Sequence, residues 1–235
     1  NLPIEERISM IEKGYQKILE QKDEIAHLIH TEMGKTTAEA MGEVVGYSSK
    51  VSQLGEDVKA SLVPLTREDQ KTRTTLYYDP LGVCASITPW TFPLGMPHNL
   101  MVPSLMAGNS VVFKPSEEVS LVGQKYFDIL SAVLPENVLQ IVIGDGAQGR
   151  ALVESDVQMI TFTGSQETGK KILEAAGKGL KRVILELGGK DPLIVSQSAD
   201  LDKAADFAAM NSFRNAGQVC VSTEKIVVHQ DHSNE

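Results

Sequence analysis

The chain has 235 residues, a formal net charge of −9 and two cysteines, Cys84 and Cys220. Its acidic balance argues against nucleic acid or an anionic membrane surface as a partner, and it is ordinary for a metabolic enzyme. Two thiols in a chain of this length do not suggest a disulfide scaffold, so we expect a reducing, cytoplasmic environment. The chain begins at Asn1 rather than Met, which leaves organelle targeting open.

The first sixty residues show the spacing of amphipathic helices, with apolar residues every three or four positions. Gly34 predicts the end of one helix, and Thr36 or Thr37 is suited to cap the next. Residues 72–78 are β-branched and aromatic, which predicts a strand after the helices.

Residues 80–113 contain no Asp, Glu, Lys or Arg, which superficially resembles a membrane span. The stretch also contains five prolines, together with His98 and Asn99. Because proline interrupts a helix, no continuous helix can run through it. We therefore predict a buried strand, a loop and a helix here, and no membrane span.

From Gly82 onward, short apolar runs alternate with helical stretches. This alternation predicts an α/β fold whose parallel sheet is covered by helices on both faces. Asp200 and Asp202 are suited to cap a later helix that leads towards Cys220. The predicted strands are Val83–Ile87, Ser110–Phe113, Leu139–Ile143, Met159–Thr163, Val183–Leu185 and, near the chain end, Ile226–Val228.

A thiol and a carboxylate, Cys220 and Glu186, are the candidate chemical groups. A thiolate can attack an aldehyde, and a carboxylate can remove a proton from the water that later releases a thioester. Gly217 and Gln218 suit a reactive turn, whereas most free cysteines are simply buried in a core. Cys84, in an apolar strand, fits that second interpretation, and a solvated surface carboxylate is the alternative for Glu186.

A strand, a glycine turn and a helix follow one another around residues 162–169. Such a turn directs backbone N–H groups at an anion, so Gly164 and Ser165 are candidates for binding cofactor phosphates. The turn lacks the G-x-G-x-x-G fingerprint, and an ordinary capped connection fits it equally well. Lys114 and Glu117 follow another strand, where α/β proteins bind ligands, although they also suit a solvent-facing helix start.

Five segments in a fixed order carry a family resemblance. They are Pro-Trp-Thr-Phe-Pro at 89–93, Lys-Pro-Ser-Glu at 114–117, Phe-Thr-Gly-Ser-Gln-Glu-Thr-Gly at 162–169, Glu-Leu-Gly-Gly-Lys at 186–190 and Asn-Ala-Gly-Gln-Val-Cys at 215–220. Together they resemble the signatures of the NAD(P)-dependent aldehyde dehydrogenase superfamily. The resemblance implies N-terminal helices and a Rossmann-like dinucleotide-binding domain over residues 1–187, then the start of an α/β catalytic domain over residues 188–235. Because family members are considerably longer, it also implies a fragment that lacks both ends.

The resemblance assigns roles to residues of these segments. It implies Cys220 as the nucleophile, Glu186 as the general base and Thr91 at a position that contributes to the oxyanion site. It places Ile87 to Trp90 beside the nicotinamide ribose and Gly146 on the adenine side. The implied cofactor-binding residues are Ile87, Thr88, Pro89, Trp90, Lys114, Ser116, Glu117, Gly146, Phe162, Thr163, Gly164, Ser165, Thr168, Gly169, Leu187 and Gly188.

NAD is the expected cofactor, because a carboxylate at Glu117 accepts hydrogen bonds from ribose hydroxyls and repels the 2′-phosphate of NADP. We expect a small-molecule aldehyde as substrate, and no nucleic acid or membrane as a partner. The resemblance also implies a homodimer or homotetramer at full length, with an arm formed around residues 72–78. His229, Asp231 and His232 suit a solvated tail better than a metal site, so no metal is expected.

The leading hypothesis is oxidation of an aldehyde to a carboxylic acid through a thiohemiacetal and a thioester on Cys220. One alternative is an acyl-transferring semialdehyde dehydrogenase of the same superfamily. Glu186 argues against it, because such members typically lack this carboxylate. The other alternative is a diverged cofactor-binding protein with weak or no catalytic activity, which Thr91 supports.

The family motif has Asn where this chain has Thr91. The Asn amide donates a hydrogen bond to the oxyanion, and the shorter Thr side chain is less suited to reach it. In a protease, loss of one such donor slows the reaction by about 10²–10³-fold. We therefore predict that Thr91→Asn in a full-length protein raises the turnover number for aldehyde oxidation. A turnover number that stays the same or falls would contradict a weakened oxyanion site.

Overall fold

The computed structural model describes residues 2–232 of the protein. Four helices form its N-terminal part. They are α1 Ile4–Glu20, α2 Lys22–Met33, α3 Thr37–Ser48 and α4 Val51–Ser61. As predicted, Gly34 ends α2 in a left-handed conformation, with a φ of 89°. Thr36 caps α3, because its hydroxyl accepts from the Glu39 N–H while the Glu39 carboxylate accepts from the Thr36 N–H.

An antiparallel hairpin follows the helices. Its strands are β1 Leu65–Glu68 and β2 Arg73–Leu76, with Leu65 opposite Leu76. The strand predicted over residues 72–78 is confirmed in its central part. The sequence did not predict β1, because Leu-Thr-Arg-Glu is largely polar and alternates only weakly. Nearly all side chains of the hairpin are exposed, so it projects into solvent.

The central sheet of the described chain consists of five strands, all of them parallel. They are β3 Val83–Ile87, β4 Ser110–Lys114, β5 Leu139–Ile141, β6 Met159–Gly164 and β7 Arg182–Leu187. Their spatial order is β5–β4–β3–β6–β7, so the chain moves from β3 towards one edge and then returns to add β6 on the other side. This reversal creates a crevice at the carboxyl ends of β3 and β6, where α/β proteins bind ligands. The predicted fold class is confirmed.

The β5 strand is shorter than the run Leu139–Ile143 that the sequence predicted. The Val142 N–H still donates to the Phe113 carbonyl at 2.8 Å. Ile143 is exposed, and Gly144, with a φ of 150°, then turns the chain towards the next helix. Backbone geometry, rather than a loss of apolar character, therefore ends this strand.

Helices cover both faces of the central sheet. They are α5 Gly95–Met106, α6 Ser120–Ser131, α7 Gly146–Glu154 and α8 Gln166–Lys178. The N-terminal helices, α5 and α6 bury one face in a core that includes Met101, Phe113 and Leu130. The α7 and α8 helices cover the other face in a core that includes Ile160 and Ile172. Full burial of one such side chain contributes about 1.5–3 kcal/mol.

Beyond β7 the chain starts a second, smaller sheet. Its parallel strands are β8 Pro192–Val195 and β9 Lys225–Val228, and α9 Leu201–Phe213 connects them. Asp200 caps α9, as predicted, by accepting a backbone N–H of the first turn at 3.2 Å. The sequence did not predict β8, because the strand has only 4 residues and begins with a proline, which usually marks a loop. The change of sheet agrees with a boundary after residue 187, which remains a prediction.

Three 3₁₀ turns complete the secondary structure of residues 2–232: Glu117–Val119, Arg214–Gly217 and Gln230–His232. Across the same residues, no helix is both long and apolar enough to cross a membrane. The uncharged stretch 80–113 forms β3, a loop and α5, as the sequence predicted, and then most of β4. Residue 1 and residues 233–235 of the predicted domains lie outside the described part.

A buried hydrogen-bonded cluster connects three of the helices. The Tyr15 hydroxyl on α1 lies 2.7 Å from His98 Nδ1 on α5 and 2.5 Å from the Tyr126 hydroxyl on α6. Burial lowers the pKa of His98 to about 4, so its ring is neutral at pH 7. Neutral partners of this kind are stable in a core only while each remains hydrogen-bonded.

We predict that Tyr15→Phe lowers the free energy of unfolding by about 1–3 kcal/mol, because two buried polar groups lose their shared partner. Urea denaturation followed by circular dichroism measures the change. Tyr77→Phe is the matched control, since Tyr77 is 67% exposed. Equal unfolding midpoints for the two variants would show that the cluster adds no stability.

Candidate active site

A cavity of about 780 Å³ opens at the carboxyl ends of β3, β4 and β6. Ligand and cofactor sites typically measure about 300–1,000 Å³. The strand ends contribute Ile87, Lys114 and Phe162, while α7 and α8 form the outer wall. The cavity therefore lies where the strand order reverses, which is the expected ligand site of an open α/β sheet.

Most of the predicted cofactor-binding residues line this cavity, whereas Gly169, Leu187 and Gly188 do not. A Cβ atom at Gly169 would lie 2.8 Å from Leu187 Cδ2, so this glycine lets α8 approach β7 closely. The roles of these three residues stay predictions. The predicted residues that line the cavity are Ile87, Thr88, Pro89, Trp90, Lys114, Ser116, Glu117, Gly146, Phe162, Thr163, Gly164, Ser165 and Thr168.

The outer wall of the cavity consists of residues that the sequence analysis missed. They recur every three or four positions on the facing sides of α7 and α8, which is the spacing of one helix face. That spacing was present in the sequence, but nothing local indicates that these two helices face each other. The missed residues are Gly149, Arg150, Val153, Glu154, Lys171, Ile172, Glu174, Ala175 and Lys178.

The N-terminus of α8 lies at the cavity, where Ser165 and Thr168 belong to the lining. Ser165 caps this helix, accepting the Thr168 N–H at 3.2 Å, and its own hydroxyl donates to Thr168 Oγ1 at 3.0 Å. A Cβ atom at Gly164 would lie 2.4 Å from Phe162 Cζ, so only glycine lets the ring pack beneath the turn. The N-terminus of a helix favours negative charge, which suits a phosphate.

Lys114 and Glu117 place a charge pair at the end of β4. The Lys114 side chain is buried, and its Nζ donates to the Pro115 carbonyl at 3.1 Å. Its Nζ also lies 3.6 Å from Glu117 Oε2, whose side chain is 52% exposed. Because both residues line the cavity, a ribose there would meet a carboxylate acceptor and an ammonium donor.

One buried hydroxyl in the cavity wall has no partner. Thr163 is buried, and its Oγ1 makes no hydrogen bond with any described residue. Buried polar atoms are normally hydrogen-bonded, so an unpaired hydroxyl at a cavity suits a ligand that supplies the bond. This atom, the α8 N-terminus and the Lys114–Glu117 pair together fit a dinucleotide.

The tryptophan loop, residues 88–94, contacts the cysteine loop, residues 214–220. Trp90 lines the cavity, and its indole Nε1–H donates to Gln218 Oε1 at 2.8 Å. Gln218 precedes Cys220 by one intervening residue. The contact brings the loop that carries the candidate nucleophile to the edge of the cavity.

Asn215 holds the cysteine loop against the tryptophan loop. Its Nδ2 donates to the Thr91 carbonyl at 2.9 Å and to the Gln218 carbonyl at 3.0 Å. The loop has an unusual backbone, because Asn215, Ala216 and Gly217 have φ values of 57°, 57° and 71°. Such a run is costly for residues other than glycine, so tertiary contacts must hold it.

The two cysteines have opposite environments. Cys220 is exposed, while Cys84 is buried in β3. Burial raises the pKa of the Cys84 thiol, although a hydrogen bond with Ser104 partly opposes this. The core interpretation of Cys84 is confirmed, and Cys220 is the thiol that a reagent or substrate can reach.

Glu186 lies near the end of β7, directly beside Thr163 in the sheet register. Its side chain is exposed, as expected for an edge strand with one open face. Glu186, Thr91 and Cys220 all lie outside the lining of the cavity. The structure therefore joins Thr91 to the cysteine loop, while a pocket shared by Glu186 and Cys220 remains a prediction.

Comparison with known proteins decides the family, since all of the chain, residues 1–235, matches the aldehyde dehydrogenase family. The chain belongs to the aldehyde dehydrogenase family. The succinate semialdehyde dehydrogenase of Acinetobacter baylyi is 38% identical over 229 residues, covering 95% of this chain and 47% of that protein. The succinate-semialdehyde dehydrogenase [NADP(+)] GabD of Escherichia coli K12 is 36% identical over 233 residues, which cover 97% of this chain and 48% of that protein.

Solved structures of the family agree with this assignment. The crystal structure of PnpE in complex with nicotinamide adenine dinucleotide superposes with a TM-score of 0.93 and 34% identity. The match covers 99% of this chain and 49% of that one. The chain thus spans about half the length of the aldehyde dehydrogenases that it resembles.

In this aldehyde dehydrogenase chain, Tyr47 packs on the first residue of α5. A Cβ atom at Gly95 would lie 2.4 Å from Tyr47 Cε2, so Tyr47 packs directly on the glycine. Burial raises the pKa of Tyr47, whereas a hydrogen bond from Asn99 and the charge of Arg214 lower it. Electrostatic interactions with Glu43 and, more weakly, with Cys220 raise the pKa of Tyr47 further.

The histidines near the chain end have local partners. His229 Nδ1 lies 3.6 Å from Asp231 Oδ2, and His232 Nε2 lies 2.8 Å from the Gln197 carbonyl. Among residues 2–232, no three His, Cys, Asp or Glu side chains are grouped to hold a metal ion.

Proposed function

We propose that the full-length protein oxidises an aldehyde to a carboxylic acid with NAD, using Cys220 as nucleophile and Glu186 as general base. The hydrogen bond between Trp90 and Gln218 carries this proposal. Trp90 belongs to the cavity that fits a dinucleotide, and Gln218 belongs to the loop of the exposed thiol. This contact supports a single site in which cofactor and nucleophile meet.

The reaction begins when the Cys220 thiolate attacks the aldehyde carbon, forming a carbon–sulfur bond and an alkoxide. Re-formation of the carbonyl expels hydride from that carbon and leaves a thioester on the sulfur. Bound NAD supplies the hydride acceptor. Glu186 then removes a proton from a water molecule that attacks the thioester, which releases the acid and restores the thiol. Aldehyde, NAD⁺ and water thus give acid, NADH and H⁺.

The alkoxide needs hydrogen-bond donors before it collapses. The proposed donors are the backbone N–H of Cys220 and the hydroxyl of Thr91. The Thr91 carbonyl accepts from Asn215, which supports a fixed position for this residue beside the cysteine loop. A site of this kind stabilises developing charge, because its donors are already oriented before the reaction starts.

The cofactor is proposed to lie along the cavity, with its pyrophosphate at the α8 N-terminus near Ser165. Lys114 and Glu117 would hold the adenosine ribose, and the unpaired Thr163 hydroxyl would donate to or accept from the ligand. We propose NAD rather than NADP because the Glu117 carboxylate repels a 2′-phosphate. The E. coli relative is named for NADP(+) and PnpE was solved with NAD, so the choice depends on this chain's own residues.

We propose that the aldehyde carries a carboxylate at its other end. The relatives from A. baylyi and E. coli are both named for succinate semialdehyde, which has that chemistry. In this chain, the exposed Arg214 begins the cysteine loop, and its positive charge is one cause that lowers the pKa of Tyr47. A guanidinium binds a carboxylate through two parallel hydrogen bonds, so Arg214 is the proposed anchor.

The remaining expectations concern the whole protein. We propose that residues 1–187 form the cofactor-binding unit and residues 188–235 begin the catalytic domain. We also propose a homodimer or homotetramer in the cytoplasm, with the exposed β1–β2 hairpin contributing to subunit contacts. The hairpin presents Leu65 and Leu76 to solvent, which supports a contact surface.

The catalytic roles can be tested in a protein of the full family length. We expect Cys220→Ala to abolish NADH formation, because no other described thiol is exposed. Glu186→Gln should give a rapid burst of NADH and then little turnover, because the thioester forms but is not hydrolysed. Stopped-flow absorbance of NADH measures both, with Cys84→Ala as the matched control that keeps steady turnover. Wild-type turnover in Cys220→Ala would disprove the mechanism.

The cofactor preference can be tested by removing one charge. We expect Glu117→Gln to raise kcat/KM with NADP by about tenfold, because a repulsive carboxylate is lost. Steady-state kinetics with both cofactors measure the effect. Glu118→Gln is the matched control, since this neighbouring carboxylate is exposed and is absent from the cavity lining. An identical cofactor preference in both variants would assign the discrimination to other residues.

A further inference from the structure

A buried ion pair lies beneath the tryptophan loop. Lys35 follows the glycine that ends α2 and is 1% exposed, and Glu43 on α3 is 5% exposed. Lys35 Nζ lies 2.5 Å from Glu43 Oε2. The desolvation of two buried charges offsets most of their attraction, so such a pair adds little stability over apolar residues. We therefore expect the ion pair to matter mainly for the position of the backbone groups that it holds by hydrogen bonds.

Lys35 contacts the part of the tryptophan loop that carries the oxyanion residue. Its Nζ donates to the Thr91 carbonyl at 3.0 Å. The same ammonium lies 4.3 Å from the centre of the Phe92 ring, which is a favourable cation–π distance. One buried cation thus fixes two consecutive residues, one through the backbone and one through the side chain.

Glu43 contacts the other end of the same loop. Its second oxygen, Oε1, accepts from the Leu94 and Gly95 N–H groups, each at 2.9 Å. These residues begin α5, so the carboxylate acts as a cap at a helix N-terminus. The ion pair therefore holds the tryptophan loop at Thr91 and again where the loop enters the helix.

The Thr91 carbonyl connects this ion pair to the cysteine loop. It accepts from Lys35 Nζ and from Asn215 Nδ2, at 3.0 and 2.9 Å. The Asn215 N–H in turn donates to Glu39 Oε1 at 2.5 Å. This bond is the largest cause that lowers the pKa of Glu39. Two carboxylates of α3, Glu39 and Glu43, thus hold the two loops in one relative position.

We propose that Lys35 and Glu43 are positioning residues, which fix the tryptophan loop and, through the Thr91 carbonyl, the cysteine loop in the geometry that attack by Cys220 requires. Neither side chain contacts the reacting atoms. The effect on turnover rests on the proposed function, whereas the effect on the two loops does not.

The test is a double variant, Lys35→Met with Glu43→Gln. Removing both charges together avoids leaving one buried charge unpaired, which would unfold the protein for an unrelated reason. Gln at position 43 keeps an oxygen for the α5 N–H groups, so only the two contacts of Lys35 with the loop, at Thr91 and Phe92, are lost. The matched control is Lys125→Met with Glu24→Gln, which removes a 2.9 Å ion pair between the first turn of α2 and the middle of α6.

Trp90 provides a readout that needs no enzyme activity, because it is the one tryptophan of the sequence and donates across the two loops. Release of the loop should raise acrylamide quenching of its fluorescence by about twofold, since Trp90 is 42% exposed when docked. In the full-length protein, kcat should fall about 10–100-fold, as misplaced catalytic groups do. KM for NAD should rise by a smaller factor, because only Thr88, Pro89 and Trp90 of the cavity lining belong to the released loop. The control should match wild type in both measurements.

Each outcome bears on the proposal. Wild-type quenching and kcat in a double variant that circular dichroism shows to be folded would overturn it. Increased quenching with lost turnover supports it. If the wild type oxidises no aldehyde but quenching still rises in the double variant, the proposed function fails and the positioning role stands. Should the double variant not fold, Lys35→Leu with Glu43→Gln, which likewise removes the donor to the Thr91 carbonyl, is measured against the same criteria.

Discussion

The site depends on one pairing in the sheet, that of β3 with β6. Residues distant in the sequence become neighbours there, with Ile87 beside Phe162 in the register. The tryptophan loop leaves the sheet after β3, and the glycine turn leaves it after β6, so both emerge at the same edge. Without this pairing, the helix N-terminus that suits a phosphate and the loop that contacts the thiol would have no common location.

A second constraint comes from α3, which lies outside the sheet. Glu39 has two tasks, because Oε2 completes the cap of its own helix while Oε1 accepts from the cysteine loop. Glu43 likewise divides its oxygens between Lys35 and the start of α5. The sheet thus forms the cavity, and the N-terminal helices hold the loops at its edge. Helices that resemble a peripheral addition in the sequence are structurally part of the site.

Local signals explain what the sequence predicted well. The bounds of β3, the end of α2 at Gly34 and the caps Thr36 and Asp200 all follow from the residues at those positions. Each depends on backbone preference or a hydrogen bond within one turn. The strand β1 was not predicted because it lacks such a local signal. Its pairing with β2, rather than its composition, defines it.

The unpredicted parts of the site are non-local. Nothing in the sequence distinguishes Lys35 from a solvated surface lysine, since its burial depends on Glu43 and on a loop far along the chain. The outer wall on α7 and α8 shows an ordinary helical pattern, and its function follows only from how the helices face each other. The motif residues Trp90 and Asn215 were visible in the sequence, but the bond each makes was not.

The left-handed stretch from Asn215 to Gly217 also limits which sequences can occupy the segment before the thiol. Three successive residues adopt a handedness that L-amino acids with branched side chains avoid, because the Cβ atom crowds the neighbouring carbonyl. Glycine adopts it without strain and asparagine adopts it occasionally, whereas alanine is destabilised there by about 1–2 kcal/mol. A valine or isoleucine at position 216 would favour a different backbone conformation and so disrupt the turn. The handedness of the chain therefore restricts which residues can stand before Cys220, whether or not they take part in the reaction.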